Sequence, residues 1–339
     1  MLRFFRDTHF PFISWRRYAY LFSLAILLPG MASLLIKGGP KYGIDFTGGT
    51  LVQLRFAGPV PLDQLRARLT ALDLDAFELQ RFGDEREVVI RARGEPGAEA
   101  ELAPRIARAL QQDPQLRANG FEVVRVEAVG PKIGSELQRK ALLALAYSCG
   151  LIILYIYVRF KGLKYGVTPV IALVHDTLLT VGVFSLLNKE ITLDVVAALL
   201  TVIGYSVNDS IVVLDRIREN LRTRQRRSLE ETIDAAVNQT LSRTVITGVS
   251  TLLVVLALFF VGGRVIHDFA FALLVGIVVG TYSSIFVVAP LLVEWERWFG
   301  GKAPPKAGSG TPRAAGAPGE PLERPARAPL ATAGRRRRG

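Results

Sequence analysis

The stretch VVAALLTVIGYSVNDSIVVLDRIREN, Val195 to Asn220, decides how the chain is read. Its first half is apolar enough to lie in hydrocarbon, yet Asn208 and Asp209 interrupt it before the charged end begins. An aspartate near the middle of a membrane helix costs about 2.5–3.5 kcal/mol, so other groups must hold it or use it. The surroundings agree with a bilayer: half of the 339 residues are apolar, and the mean hydropathy is +0.30.

Cys149 is the one cysteine, which excludes an intrachain disulfide, and His9, His175 and His267 stand apart with no HExxH spacing. No metal centre and no cofactor are expected. The net charge of +12 looks like a nucleic-acid signal until it is located, because nine Lys/Arg face two acids from Gly301 onward. The rest is nearly balanced, so no specific nucleic-acid partner is expected. Residues 299–339 are rich in Pro, Ala, Gly and Arg without periodicity and read as a disordered basic tail; Arg335–Arg338 form a solvated end or touch anionic lipid or ribosomal RNA.

Apolar runs long enough to cross about 30 Å of hydrocarbon lie near 18–36, 141–158, 165–187, 193–214, 241–261 and 269–293. The first reads as an uncleaved anchor, because its apolar run continues past the small residues Ala32 and Ser33. Lys and Arg crowd residues 1–17, the loop RFKGLKYG and the segment Arg216–Arg227, against one each in NKE and GGRVIHD. That bias predicts cytoplasmic termini and an extracytoplasmic loop over residues 37–140.

Within that loop TLVQLRF, AFELQRF, EVVIRAR and FEVVRVEAV alternate with period two, and PLDQLRARLTAL and AEAELAPRIARALQQ repeat with the helical period. Pro104 must lie in the first turn of the second helix or break it. The order strand, helix, strand, strand, helix, strand is that of a ferredoxin-like α+β domain. Two glycine-bearing stretches bracket it. GIDFTGGT holds Gly43, Asp45, Phe46, Thr47, Gly48 and Gly49; VGPKIGSEL holds Gly130, Pro131 and Gly134. Both read as tight turns at the membrane surface.

Counting along the fourth span places Asp209 about 8 Å past its centre, on a polar face with Thr201, Tyr205 and Asn208. Asp176, next to His175, falls at the centre of the third span, and Arg243 on the fifth falls near the depth of Asp209. These residues, Asp209, Arg243, Asp176, His175 and Asn208, form a candidate proton relay, with His175 orienting Asp176. The competing readings are a static buried Asp209–Arg243 ion pair and an Arg243 that merely reaches up to phosphates. Gly276 and Gly280 make GxxxG in the sixth span, a close helix contact. Ser228 and Glu231 form a capping box for an amphipathic helix near 228–240 on the cytoplasmic surface, so that residues 141–298 hold five spans and that helix.

GIDFTGGT, VGPKIGSEL, the HD pair at His175, GYSVNDSIVVLDRIREN and NQTLSRTVITGVSTLL, taken in order, resemble SecF-type members of the SecD/SecF family, which is itself similar to one half of a resistance-nodulation-division transporter. The likeness covers about residues 10–298. It implies a polytopic α-helical protein of the bacterial plasma membrane that, with SecD, uses the proton-motive force late in preprotein export through SecYEG, after the ATP-driven push from SecA. Implied partners are SecD, SecYEG and YajC, with an unfolded preprotein as substrate. Asp209 resembles the family's proton-carrying aspartate and Arg243 its charged partner. No hydrolase chemistry is implied. A proton-driven exporter of small molecules, an intramembrane protease using Asp176 and Asp209, and a static scaffold subunit are the alternatives. The exporter would need a second half, and VND is not the GxGD pattern of such proteases.

Overall fold

A computed structural model describes residues 8–72, 76–93, 99–160, 163–223, 228–263 and 265–299; the expected basic tail lies outside them, beyond Phe299. In chain order, α1 (Arg16–Ile36) leads through a single turn, α2 (Ile44–Thr47), into β1 (Gly49–Phe56), α3 (Leu62–Thr70), β2 (Ala76–Arg81), β3 (Glu87–Arg93), α4 (Glu99–Gln111), α5 (Pro114–Ala118) and β4 (Phe121–Val129). There follow α6 (Pro131–Phe160), α7 (Leu163–Leu186), α8 (Leu193–Arg222), α9 (Leu229–Val261), α10 (His267–Ser283) and α11 (Ala289–Phe299). A π-helical turn, Ser284–Val288, joins the last two into one rod.

Among the described residues six helical rods are long and apolar enough to cross a membrane, namely α1, α6, α7, α8, α9 and the α10–α11 rod. In the middle of the bundle α8 is held by α7, α9 and α10, and it buries Val195, Leu199, Val202, Ser206, Val213 and Ile217 along one face. By contrast α6 leaves Leu151, Leu154, Tyr155 and Val158 exposed, as a lipid-facing helix does.

The α+β unit carries a sheet in the order β2-β3-β1-β4, with every pairing antiparallel. Val52 sits opposite Ile90 on one side and Val126 on the other. Period-two alternation sends Val52, Leu54, Phe56, Val88 and Ile90 to one face, where Leu65 and Leu69 of α3 and Leu102, Ile106 and Leu110 of α4 cover them.

Three details depart from the sequence reading. Pro104 lies inside α4, past its first turn, and the helix continues through it; Leu102, Ile106 and Leu110 are buried on either side of it, and that packing outweighs one lost backbone bond. The expected surface helix near 228–240 is the first third of the continuous α9. Its apolar face, Ile233, Ala236, Val237 and Leu241, packs with Phe12 and Ile13, and Asp234 and Asn238 accept the Ile13 and Phe10 amides at 2.9 and 3.0 Å. The Ser228–Glu231 capping box forms at its start. Finally, α5 is an additional turn, which Asp113 caps by accepting from the Gln115 and Leu116 amides.

Candidate functional site

The sequence puts two carboxylates into the bundle, and the fold supplies both with hydroxyl donors. Asp209 on α8 is 9% exposed. Its Oδ1 accepts from Thr244 Oγ1 of α9 at 2.7 Å and its Oδ2 from Ser284 Oγ of the π turn. Asp176 on α7 is 1% exposed. Its Oδ2 accepts from Ser206 of α8 and Ser283 of α10, both at 2.7 Å, while its Oδ1 lies 2.9 Å from His175 Nδ1. The other imidazole nitrogen meets Ser23 Oγ of α1 at 3.1 Å, and Ser23 meets the Tyr282 hydroxyl at 3.1 Å. One polar network thus crosses α1, α7, α8 and α10. No hydrogen bond joins the two carboxylates, each being taken up by its own hydroxyls.

Close approach of α8 and α10 makes this possible. A Cβ on Gly276 would stand 2.2 Å from Val202 Cγ2, and one on Gly280 would stand 3.0 Å from Ser206 Cβ. Without side chains there, α10 lies against α8 and delivers Ser283 and Ser284 to the acids. A second small-residue crossing escaped the sequence reading: a Cβ on Gly30 of α1 would meet Gly182 Cα of α7 at 2.8 Å.

Asp209 and Arg243 form no ion pair. Thr244 is buried and turned toward Asp209, whereas Arg243, one residue earlier and so about 100° around the helix, is exposed. Equal depth therefore did not decide contact. Asn208 is exposed as well, in line with Thr201 and Gly204 on α8, and so is Ser250 on α9. Tyr205 is half-buried; its hydroxyl lies 3.5 Å from where a Cβ on Gly248 of α9 would stand.

The bracketing motifs hold the α+β unit to the bundle. Asp45 Oδ2 accepts the Leu193 amide at 2.8 Å, capping the first turn of α8, and the Gly43 amide donates to Ile191 at 2.9 Å. Phe46 is buried with Phe184, Ile191 and Val195, and Thr47 Oγ1 donates to the Gly43 carbonyl at 3.1 Å. Gly48 and Gly49 have φ of 72° and 118°, a region L side chains rarely adopt. A Cβ on Gly48 would meet Pro131 Cα at 2.8 Å, and one on Gly134 would meet the Phe46 carbonyl at 2.9 Å. The Gly130 carbonyl accepts from the Gly134 amide at 3.0 Å, starting α6.

Charge adds a further tie. Glu190, in the α7–α8 loop, pairs with Arg91 of β3 at 2.7 Å and Lys41 at 3.3 Å, and Lys41 also meets Glu78 of β2 at 2.8 Å. Burial pushes the Glu190 carboxyl above its ordinary range, outweighing the opposing pull of Arg91 and Lys41. Glu190, Ser206, Thr244, Ser283 and Ser284 were not singled out from sequence. The one signal that pointed to the serines is the SS pair in the otherwise apolar TYSSIFVV. Among the described residues no group of three or more His, Cys, Asp or Glu could hold a metal ion.

Comparison with known proteins places this arrangement. The family model described as protein export membrane protein SecD/SecF, C-terminal, matches residues 111–298, and the SecD/SecF GG motif matches residues 33–60. The protein translocase subunit SecF of Desulfurispirillum indicum is 44% identical over 297 residues, covering 86% of this chain and 93% of that protein. The corresponding subunit of Magnetococcus marinus is 46% identical over 293 residues, with the same coverage. The crystal structure of SecDF, a translocon-associated membrane protein from Thermus thermophilus, superposes with a TM-score of 0.75 at 39% identity; the match covers 86% of this chain and 39% of that one. A chain of this identity, span and topology belongs to the SecD/SecF family, in its SecF branch of protein translocase subunits.

Proposed function

We propose that this chain is the SecF-type half of a two-half membrane unit that couples proton movement through Asp209 to a late step of preprotein export. The single observation that carries the reading is the setting of Asp209. It is buried, its oxygens take bonds from two neutral hydroxyls, and among the described residues no ion pair fixes its charge. A hydroxyl can donate to a carboxylate or accept from a carboxylic acid, so the same cage suits both protonation states, whereas a bound guanidinium would serve only one. A proton crossing the membrane releases about 2.3 kcal/mol per 100 mV, enough to bias two conformations of a helix bundle. In this reading Asp176 and His175 form the adjoining station, its donor Ser283 standing next to Ser284 on the sixth rod, while Asn208 faces the second half.

Two surfaces support a SecD-like partner. Thr201, Gly204 and Asn208 of α8 and Ser250 of α9 are exposed on helices long enough to cross a membrane, and polar groups on such helices face protein or water and not lipid tails. At the edge of the sheet, β4 exposes Val123, Val124 and Val126, and an open apolar edge strand calls for a cover. Both termini then lie in the cytoplasm, the α+β unit outside, and the SecYEG channel, YajC and an unfolded preprotein belong to the working assembly. The protein acts as a transport component, with no bond of the preprotein made or broken.

The test is potential-dependent export into inverted vesicles. D209N abolishes the part of export that collapses with an uncoupler and leaves the ATP-driven part unchanged. Retention of the uncoupler-sensitive part by D209N overturns the reading.

A further inference from the structure

We infer that the end of the bundle remote from the sheet carries a binding site for the phosphate headgroup of an anionic phospholipid. A cavity of about 700 Å³ opens there between the ends of α6 and α8 and the flank of α9, within the about 300–1,000 Å³ usual for small-molecule sites. Five arginines line it, Arg159, Arg216, Arg218, Arg222 and Arg243, against two acids, Asp215 and Glu219.

The acids are already taken. Arg159 pairs with Asp215 at 2.7 Å and Arg216 with Glu219 at 2.6 Å, and Arg216 Nε also donates to Gln239 at 2.6 Å. Arg218, Arg222 and Arg243 form no ion pair or hydrogen bond among the described residues. Three guanidiniums lining one cavity repel one another, and one phosphate group, accepting forked N–H donors, relieves that repulsion.

The neighbouring surface decides which phosphate. Leu151, Leu154, Tyr155 and Val158 run along an exposed stripe of α6, Leu154 being 58% and Val158 63% exposed, and the stripe ends at Arg159 of the cavity wall. A ligand that places a phosphate among the arginines and apolar chains along that stripe is a phospholipid; a free anion would use only the first half. Basic pockets at the polar ends of membrane helices suit such headgroups.

Native mass spectrometry of the full chain, delipidated in neutral detergent, tests this with phosphatidylglycerol, phosphatidylcholine and inorganic phosphate as probes. Phosphatidylglycerol is retained in preference to phosphatidylcholine, and inorganic phosphate at equal concentration does not displace it. R218Q/R222Q weakens phosphatidylglycerol retention about thirtyfold, corresponding to the about 1 kcal/mol per arginine near an anionic surface at 1.4 kcal/mol per factor of ten. R66Q/R117Q, on the α+β unit, leaves retention unchanged. Equal retention of the two lipids by the wild-type chain, or unchanged retention by R218Q/R222Q, overturns the site. Displacement by inorganic phosphate makes it a soluble-anion site and overturns the lipid assignment. The wild-type comparisons decide the matter even if the double variant does not fold.

Discussion

Ser283 and Ser284 are neighbours in the sequence, yet their hydroxyls serve different acids: Ser283 donates to Asp176 of α7 at 2.7 Å and Ser284 to Asp209 of α8. Consecutive helical residues point about 100° apart, so one step along the sixth rod reaches two helices. The π turn begins at Ser284, and such turns occur often at functional sites. A shift of this rod would alter the donors of both carboxylates together.

Removing a donor should expose that dependence. S283A leaves the Asp176 Oδ2 with Ser206 alone, and we expect a loss of about 1–3 kcal/mol, the cost of removing one hydrogen-bond partner from a buried polar group. Because Ser206 shares that oxygen, S206A/S283A should depart from additivity by at least about 0.5 kcal/mol. Thermal unfolding in detergent of the two single variants and the double variant measures the coupling; strict additivity would show that the two hydroxyls act independently.

Gly276 offers a steric test with its own rescue. G276A sets a methyl 2.2 Å and 2.7 Å from the two Val202 methyl carbons, so α8 and α10 must part, at a cost of about 1–3 kcal/mol. V202A removes both methyls and leaves only the Val202 Cβ, at 3.0 Å. V202A/G276A should therefore melt above G276A. A double variant no more stable than G276A places the fault elsewhere than this contact.

Two of the positive-φ glycines, Gly38 and Gly48, should respond differently to alanine. Their φ values, 74° and 72°, are nearly equal, but Gly48 with ψ of 170° lies in a region essentially confined to glycine, where an alanine costs of order 1–3 kcal/mol. A Cβ on Gly38 meets nothing within 4 Å, whereas one on Gly48 meets the Pro131 backbone at 2.8 Å. G48A should thus be the more damaging by a clear margin, and limited proteolysis should show the α+β unit loosened from α6 in G48A and not in G38A.

Glu190 sets a pH dependence outside the membrane. Burial favours its neutral form in the folded protein, so its folded-state pKa lies above the unfolded one. The stabilisation linked to its protonation is complete below the unfolded value and is lost as pH rises through the folded value. Relative to E190Q, the wild-type chain should lose stability as pH rises above the ordinary glutamate value of about 4.3. R91L, which removes the cation at 2.7 Å, should move that loss to higher pH. Melting curves across this range check both; parallel curves for wild type and E190Q would refute the assignment.

The sequence by itself determined the class and the order of parts. Six apolar runs are long enough to span a bilayer whatever their packing, and alternation with period two or 3.6 reports the face a strand or helix buries, so the α+β unit and the rods stand where the periodicities put them. Pro104 was misread because local propensity marks a place where a helix can stop, while burial of Ile106 and Leu110 decides whether it does; the 228–240 segment is helical with the apolar face read from the sequence, but runs on unbroken into the fifth span. The acids Asp176 and Asp209 were legible because a charge in an apolar run is costly anywhere. Which groups satisfy them was not. Depth favoured Arg243, but the rotation of α9 presents Thr244, and the donors from α10 arrive only because Gly276 and Gly280 let that helix close on α8. Partner choice depends on helix rotation and interaxial distance, which side chains far apart in the sequence fix together, and only the tertiary structure decides it.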